Sequence, residues 1–410
     1  MMKNKIIIIG ITLLLLIINT NTIISIENSY NNTIYVDDDN IYGPWDGSYE
    51  NPFKYIQDGI NVSNDFDTIF VSNGSYFENL KITNDVYLIG EDNINTIIYS
   101  PKPNGESQSN RIITISSDNV NVKNFCLMPY NNITVNDLHA IYTEHSSELI
   151  IQNNNIINCI SAILLDSNSS AKILDNYIRF YNGIALRCIY FVNPPCDSEI
   201  FISRNNIINY GDGIDFNFYK TAPSKIVINH NHIESSFGQN SPNSFDSGIL
   251  FSHEVDSNYN LFISHNNITG FNFGIHYSGG GPPLDDSSIN ISLNTFNNEI
   301  SDLYLLPNSI KSSEPFIITK NNFYGDNKQE LFIEEIILDP FMIPFMLNYS
   351  IGLIQKNSIL WVNNYWFNHD TSSSKLIPGK MFIYLRYPII VINFDLFQKD
   401  LVPSDTPHDI

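Results

Sequence analysis

One asparagine, returning at intervals of 22, 29, 26, 35, 28, 27 and 43 residues, restricts this chain to a small set of folds. Its positions are Asn154, Asn176, Asn205, Asn231, Asn266, Asn294, Asn321 and Asn364. The wording around it repeats as well. Ile200-Phe201-Ile202-Ser203-Arg204-Asn205-Asn206-Ile207 is followed by Gly213-Ile214-Asp215-Phe216. Leu261-Phe262-Ile263-Ser264-His265-Asn266-Asn267-Ile268 is followed by Gly274-Ile275-His276-Tyr277. A period of this size marks a solenoid, in which each repeat is too small to bury a face alone and stacks on its neighbour. The apolar residues alternate with polar ones, as in Ile200/Ile202 and Ile214/Phe216, which is strand patterning with one face turned inward. Coils stacked at about 4.8 Å would pair their backbones along the whole length. The asparagine fits the turn between two strands, because Asn tolerates the left-handed conformation and stacked amides bond from coil to coil.

The expected fold is all-β, a right-handed parallel β-helix. The Asn-x-Ile…Gly-Ile wording resembles the repeats of pectin-lyase-like proteins, and more closely the NosD-like β-helix proteins of archaeal and bacterial surfaces. The opening supports the same likeness. Thr33-Ile34-Tyr35-Val36-Asp37-Asp38-Asp39-Asn40 is followed by a Gly/Asp-rich loop, and Phe53, Ile56 and Ile60 then fall at helical spacing. Val86-Tyr87-Leu88-Ile89-Gly90-Glu91-Asp92 matches the family's early coil, and Asn364-Tyr365-Trp366 its closing motif. The domain reading is a signal peptide or anchor at 1–26, an N-terminal cap with a short helix at 33–66, repeats at 67–366 and a C-terminal cap or tail at 367–410. Caps are required because an open coil exposes core and strand edges.

Lys3 and Lys5 precede an apolar run from Ile6 to Ile18. Its length, ~13 residues, is that of a signal-peptide core and short for a span. No A-x-A site follows, so an uncleaved anchor stays open. The expectation is an extracellular or cell-surface monomer whose membrane contact is made through this segment. A net charge of −22 without any Lys/Arg run argues against nucleic acid as a partner. Of the four cysteines, Cys188 and Cys196 flank a Pro-Pro loop and would close it as a disulfide in an oxidising compartment. Free core thiols are the alternative.

For chemistry, the Gly-Ile wording puts Leu164, Ala185, Asp215, Leu250 and His276 in one outward column, and Asp166, Arg187, Asn217, Ser252 and Ser278 in the next. This alignment brings Asp166 and Arg187 within ion-pair reach on adjacent coils, and leaves Asp215 and His276 ~10 Å apart. Asp212 and Asp215 are the closest carboxylates. These four residues, Asp166, Arg187, Asp212 and Asp215, are the catalytic candidates for a polysaccharide lyase or hydrolase. The NosD name implies copper handling as another reading, for which His230 and His265 recur on adjacent coils. Asp37, Asp38, Asp39 and Asp46 are the candidates for Ca²⁺, with turn capping as the alternative. The leading expectation is a non-catalytic protein that binds polysaccharide or envelope glycan or forms part of the envelope, with no cofactor beyond that calcium. Insertions after the Gly-Ile strand stack into a wall beside a groove, carrying Tyr190, Tyr219, His253, Glu254, Tyr259, Tyr277, Asp285 and Asp286. Tolerated drift in loop length is the plainer alternative.

Overall fold

The computed structural model describes residues 32–100 and, with gaps at loops, 111–333, together with strands at 359–362, 365–366, 380–384 and 389–393. Among the described residues the chain is a parallel β-helix. Strands follow one another into three parallel sheets of 12, 11 and 10 strands, called here sheets 1, 2 and 3 in the order each coil visits them. One coil runs through Glu199–Ser203 in sheet 1, Asn206–Asn209 in sheet 2 and Asp212–Asn217 in sheet 3. The next adds Lys225–Asn229, His232–Ser235 and Ser247–Ser252 in register upon it. A separate antiparallel pair joins Lys380–Tyr384 to Ile389–Asn393. Residues 1–31, including the apolar run, and most of 334–410 lie outside the described residues. No described helix is long and apolar enough to cross a membrane.

Alternation decides which face is core. Ile200, Ile202, Ile207, Ile214 and Phe216 of that coil are all buried, and their partners in the next coil are Ile226, Ile228, Ile233, Ile249 and Phe251. Aromatic rings also stack in file. Phe191, Phe216, Phe251 and Tyr277 follow one another with centroids 4.8, 4.9 and 5.3 Å apart, matching the spacing of the coils themselves.

The recurrent asparagine forms a continuous buried ladder. Asn231 shows the unit. Its backbone N–H and its amide Nδ2 both donate to Oδ1 of Asn266, each at 2.9 Å, and Nδ2 also donates to the Ile202 carbonyl of the coil before. Its own Oδ1 accepts the same pair of bonds from Asn205. The pattern runs from Asn154 through Asn176, Asn205, Asn231, Asn266 and Asn294 to Asn321. Asn364 lies outside the described residues. The left-handed conformation expected of the ladder asparagine belongs instead to the residue before it. Asn153, Asp175, Arg204, His230, His265, Leu293 and Lys320 all have φ between 53° and 58°. Turning at that residue frees the asparagine to lie along the stack.

The Gly-Ile wording has a steric cause. A Cβ on Gly213 would lie 2.6 Å from the Gly248 carbonyl oxygen, one on Gly248 2.8 Å from that of Gly274, and one on Gly274 2.5 Å from that of Asp302. At these three positions the next coil's carbonyl leaves room for glycine alone, whereas the same register position holds Ala140, Ala162 and Cys188 in the coils before and Asp302 in the coil after.

At the first coil, each of the three sheets meets a different device. In sheet 1, Tyr35 N–H donates to Gly47 O at 2.9 Å, and Phe53 N–H donates to Tyr35 O at 2.9 Å. In sheet 2, the Asp38 carboxylate accepts from Ser75 N–H at 3.0 Å. In sheet 3, the Gln57 side-chain amide stands in for a strand, accepting from Lys81 N–H at 2.8 Å and donating to Lys81 O at 3.1 Å. Gln57 lies on the helix Ile56–Val62, whose Ile56 and Ile60 enter the core. The Glu78 carboxylate accepts from the first two helical N–H groups at 2.9 and 3.0 Å, where the helix dipole favours negative charge.

Candidate functional site

Where the coils differ in length locates the site. From Lys123 to Thr319, two residues separate each sheet 1 strand from the following sheet 2 strand: the left-handed residue and, from Asn154 onward, the ladder asparagine. The ladder therefore fixes that corner. The variable segments border sheet 3. On its leading side they are the connections from Ser100 to Arg111, Pro129 to His139, Arg179 to Arg187 and Ser235 to Ser247. On its trailing side they run from Val192 to Glu199, Asn217 to Lys225, Ser252 to Asn260, Tyr277 to Ser288 and Leu305 to Phe316. The trailing row contains the insertions from which a wall is expected, and the leading row adds a second set of variable connections.

The outer face of sheet 3 carries a group of adjacent titratable side chains. Register places Thr114, Tyr142, Leu164, Tyr190, Asp215, Leu250, His276 and Tyr304 in one outward column. In its first coils the Arg111 guanidinium lies 3.3 Å from the centroid of the Tyr142 ring and forms an ion pair with Glu144 at 2.9 Å. The Tyr142 hydroxyl donates to Asp166 at 2.8 Å, and the Ser116 hydroxyl to Glu144 at 2.9 Å. Burial, then the bond to Asp166, pushes the Tyr142 phenol above its ordinary range. Of these residues the sequence singled out Asp166 alone. A cation over an aromatic ring flanked by carboxylates can grip a hydroxylated ring with donors, acceptors and an apolar face together.

Farther along, two titratable groups of this column are buried. Asp215 is fully covered and His276 nearly so. The His276 Nδ1 lies 3.3 Å from the Ser247 hydroxyl, and its ring packs on Phe273 and Tyr304. Burial lowers its pKa to about 4. The unfolded side chain titrates near 6.5, so between these values the unfolded state binds the extra proton and stability falls as pH falls. The loss is expected to reach about 3 kcal/mol by pH 4. Denaturant midpoints from pH 7 to 4 would measure it, and His276→Gln should flatten that part of the profile.

Several sequence expectations change. Arg187 pairs in register with Asp212, while Tyr190 takes the position assigned to Ala185. Asp166 and Arg187 are therefore not neighbours. Arg187 stands at the start of its strand and Asp166 follows the end of the strand before. Asp212 opens the strand Asp212–Asn217, and its carboxylate accepts from Ser247 N–H at 2.9 Å. Asp215 does face outward, with Ser252 Oγ 3.5 Å from its Oδ1, but it is inaccessible. Tyr259 and Tyr277 are core residues rather than groove residues, Tyr277 because it continues the Phe191–Phe216–Phe251 file. Tyr190 remains on the face, its hydroxyl accepting from Asn217 Nδ2 at 2.7 Å. Tyr219, His253, Glu254, Asp285 and Asp286 lie outside the described residues, as do the side chains of Arg187, Cys188 and Cys196. Cys126 and Cys159 are free and buried.

The metal candidates are arranged for other work. His230 and His265 stack with centroids 4.7 Å apart and planes within 7°. Their in-plane lone pairs run side by side instead of converging, whereas one ion would need both nitrogens within about 2.1 Å. They are the left-handed turn residues of their coils. Asp37 and Asp46 accept backbone N–H groups within their own turns, and Asp38 meets the sheet 2 edge; Asp39 is exposed. Among the described residues no group of three or more His, Cys, Asp or Glu is placed to hold a metal.

No protein-family model matches the chain, and no curated protein does. Among solved structures, the chain is similar to the Azotobacter vinelandii mannuronan C-5 epimerase AlgE6 A-module, at 12% identity and a TM-score of 0.33, over 76% of this chain and 88% of that one. A likeness at this score says nothing of what this chain binds. The three stacked parallel sheets themselves make the chain a parallel β-helix.

Proposed function

We propose that this is a secreted or surface-anchored protein that binds an extended, uncharged glycan along the outer face of sheet 3 and does no chemistry on it. The observation that carries the reading is the placing of the variable connections from Lys123 to Thr319 at the two borders of sheet 3, with the opposite corner held at two residues over that stretch. Loops bordering a flat, polar face suit a chain ligand lying along the axis. The Arg111–Tyr142–Asp166 group supplies the contacts: a ring face, a guanidinium and carboxylates for sugar hydroxyls. A net charge of −22 disfavours polyuronates relative to neutral polymers. The carboxylates of the face already serve the fold, Asp212 on a backbone N–H and Asp166 on Tyr142, which favours binding over acid–base work.

The test is a carbohydrate array covering neutral and uronic-acid polymers, with Ca²⁺ present and absent. Arg111→Ala and Asp166→Ala are each expected to weaken binding of a neutral polymer roughly tenfold while the melting midpoint stays within a few degrees. Affinity unchanged in both variants would place the ligand elsewhere. Release of unsaturated or reducing ends from the bound polymer would make the protein a lyase or hydrolase.

A further inference from the structure

The exposed large apolar side chains gather at one end of the solenoid. Among those on the described surface, only Phe262 lies beyond residue 130. The most exposed are Tyr42 at 90% and Tyr49 at 75%, with Tyr55 at 50% and Trp45 at 49% beside them in sequence. They belong to the segment whose Gly47 and Phe53 pair with the first strand, Thr33–Val36. Trp45 and Tyr49 are held in place rather than left loose. The Trp45 indole N–H donates to Asn40 O at 2.7 Å, and Tyr49 sits edge-on to Tyr35 at 5.3 Å.

Two facts on the same chain indicate what covers these rings. The apolar run Ile6–Ile18 is joined to Thr33 through residues 19–32 alone, a tether that reaches at most about 50 Å when fully extended. That run is also shorter than the ~20 residues a spanning helix needs, and a short apolar anchor is marginal without a second membrane contact. Tyr and Trp, apolar in the ring and polar at one edge, are the side chains that settle at headgroup depth. The local charge selects the lipid. Asp37, Asp38, Asp39, Asp46 and Glu50 surround the aromatic segment against a single Lys54, so an anionic surface would repel it.

We propose that the N-terminal end of the solenoid docks on the headgroup layer of a zwitterionic phospholipid bilayer through Tyr42, Trp45, Tyr49 and Tyr55, as the second contact of the Ile6–Ile18 anchor. This is independent of the glycan reading, which concerns sheet 3.

The experiment uses the full chain and phosphatidylcholine vesicles. Trp45 is one of three tryptophans, so its emission is taken as the difference between the wild type and Trp45→Phe. The expected result is co-sedimentation with vesicles and quenching of the Trp45 emission by lipids brominated near the headgroup. Changing Tyr42, Trp45 and Tyr49 together to Ser should weaken partition about tenfold. Failure to co-sediment, an unquenched Trp45 in vesicle-bound protein, or partition unchanged in the triple variant would each overturn the proposal. So would protection of Trp45 by a soluble neutral oligosaccharide in place of lipid. The quenching measurement needs no surface variant beyond Trp45→Phe, so it decides the matter even if the triple variant folds poorly.

Discussion

Asn266→Ala is expected to cost the solenoid roughly 3–5 kcal/mol, because it orphans several buried groups at about 1–3 kcal/mol each. Asn231 loses the acceptor of its backbone N–H and of one Nδ2 bond, and the Ile228 carbonyl loses the donor that reaches it from the next coil. The Asn294 oxygen keeps only the backbone N–H of residue 266. The first rung makes an internal control. Above Asn154 stands Phe125, whose backbone N–H is the bond at 3.1 Å that replaces the usual pair. Asn154→Ala therefore disturbs one side less, and its melting midpoint should fall by less than that of Asn266→Ala. Equal midpoints for wild type and Asn266→Ala would end the ladder argument.

Gly248→Ala should destabilise by about 3 kcal/mol, at the upper end of what overpacking costs. The added methyl would stand 2.3 Å from the Ile268 Cγ2 and 2.8 Å from the Gly274 carbonyl oxygen. The isoleucine can give way; the carbonyl cannot without opening the register of Ser247–Ser252 on Phe273–Tyr277. The contrast is Gly270→Ala. There the nearest atoms are 3.5 Å or more away, so only the strain of φ +78° remains, about 1 kcal/mol. Chemical-denaturation midpoints of the two variants, read against the wild type, separate steric exclusion from backbone strain. A smaller loss at Gly248 than at Gly270 would reject the close-approach account.

The parts of the fold that were legible in the sequence are those written once per coil. The ladder asparagine and, over three coils, the Gly-Ile pair recur because successive coils meet the same hydrogen-bonding and steric demand. The left-handed residue was missed because that demand constrains backbone and not side chain: Asn, Asp, Arg, His, Leu and Lys all occupy it. Alignment on Gly-Ile failed in the coil where the pairing strand is Arg187–Val192, and the error moved Arg187 away from Asp212 and toward Asp166. Tyr277 was read as a loop residue since nothing local distinguishes it from one; only the stack beneath it does. The Arg111–Tyr142 contact joins residues 31 apart through a connection of irregular length, so it follows from register and not from spacing.

The devices at the first coil also bear on how such a molecule is made. The Gly47 and Phe53 pairings, the Asp38 carboxylate and the Gln57 amide all belong to the first 60 residues, ahead of every other coil in synthesis. A nascent chain thus completes its finished end first. Each later coil can be laid on a surface already ordered, with one growing front in place of two open ones. Lengthening such a molecule by a coil changes nothing at its origin, and edge-to-edge joining of two molecules through that origin finds the strand positions already taken.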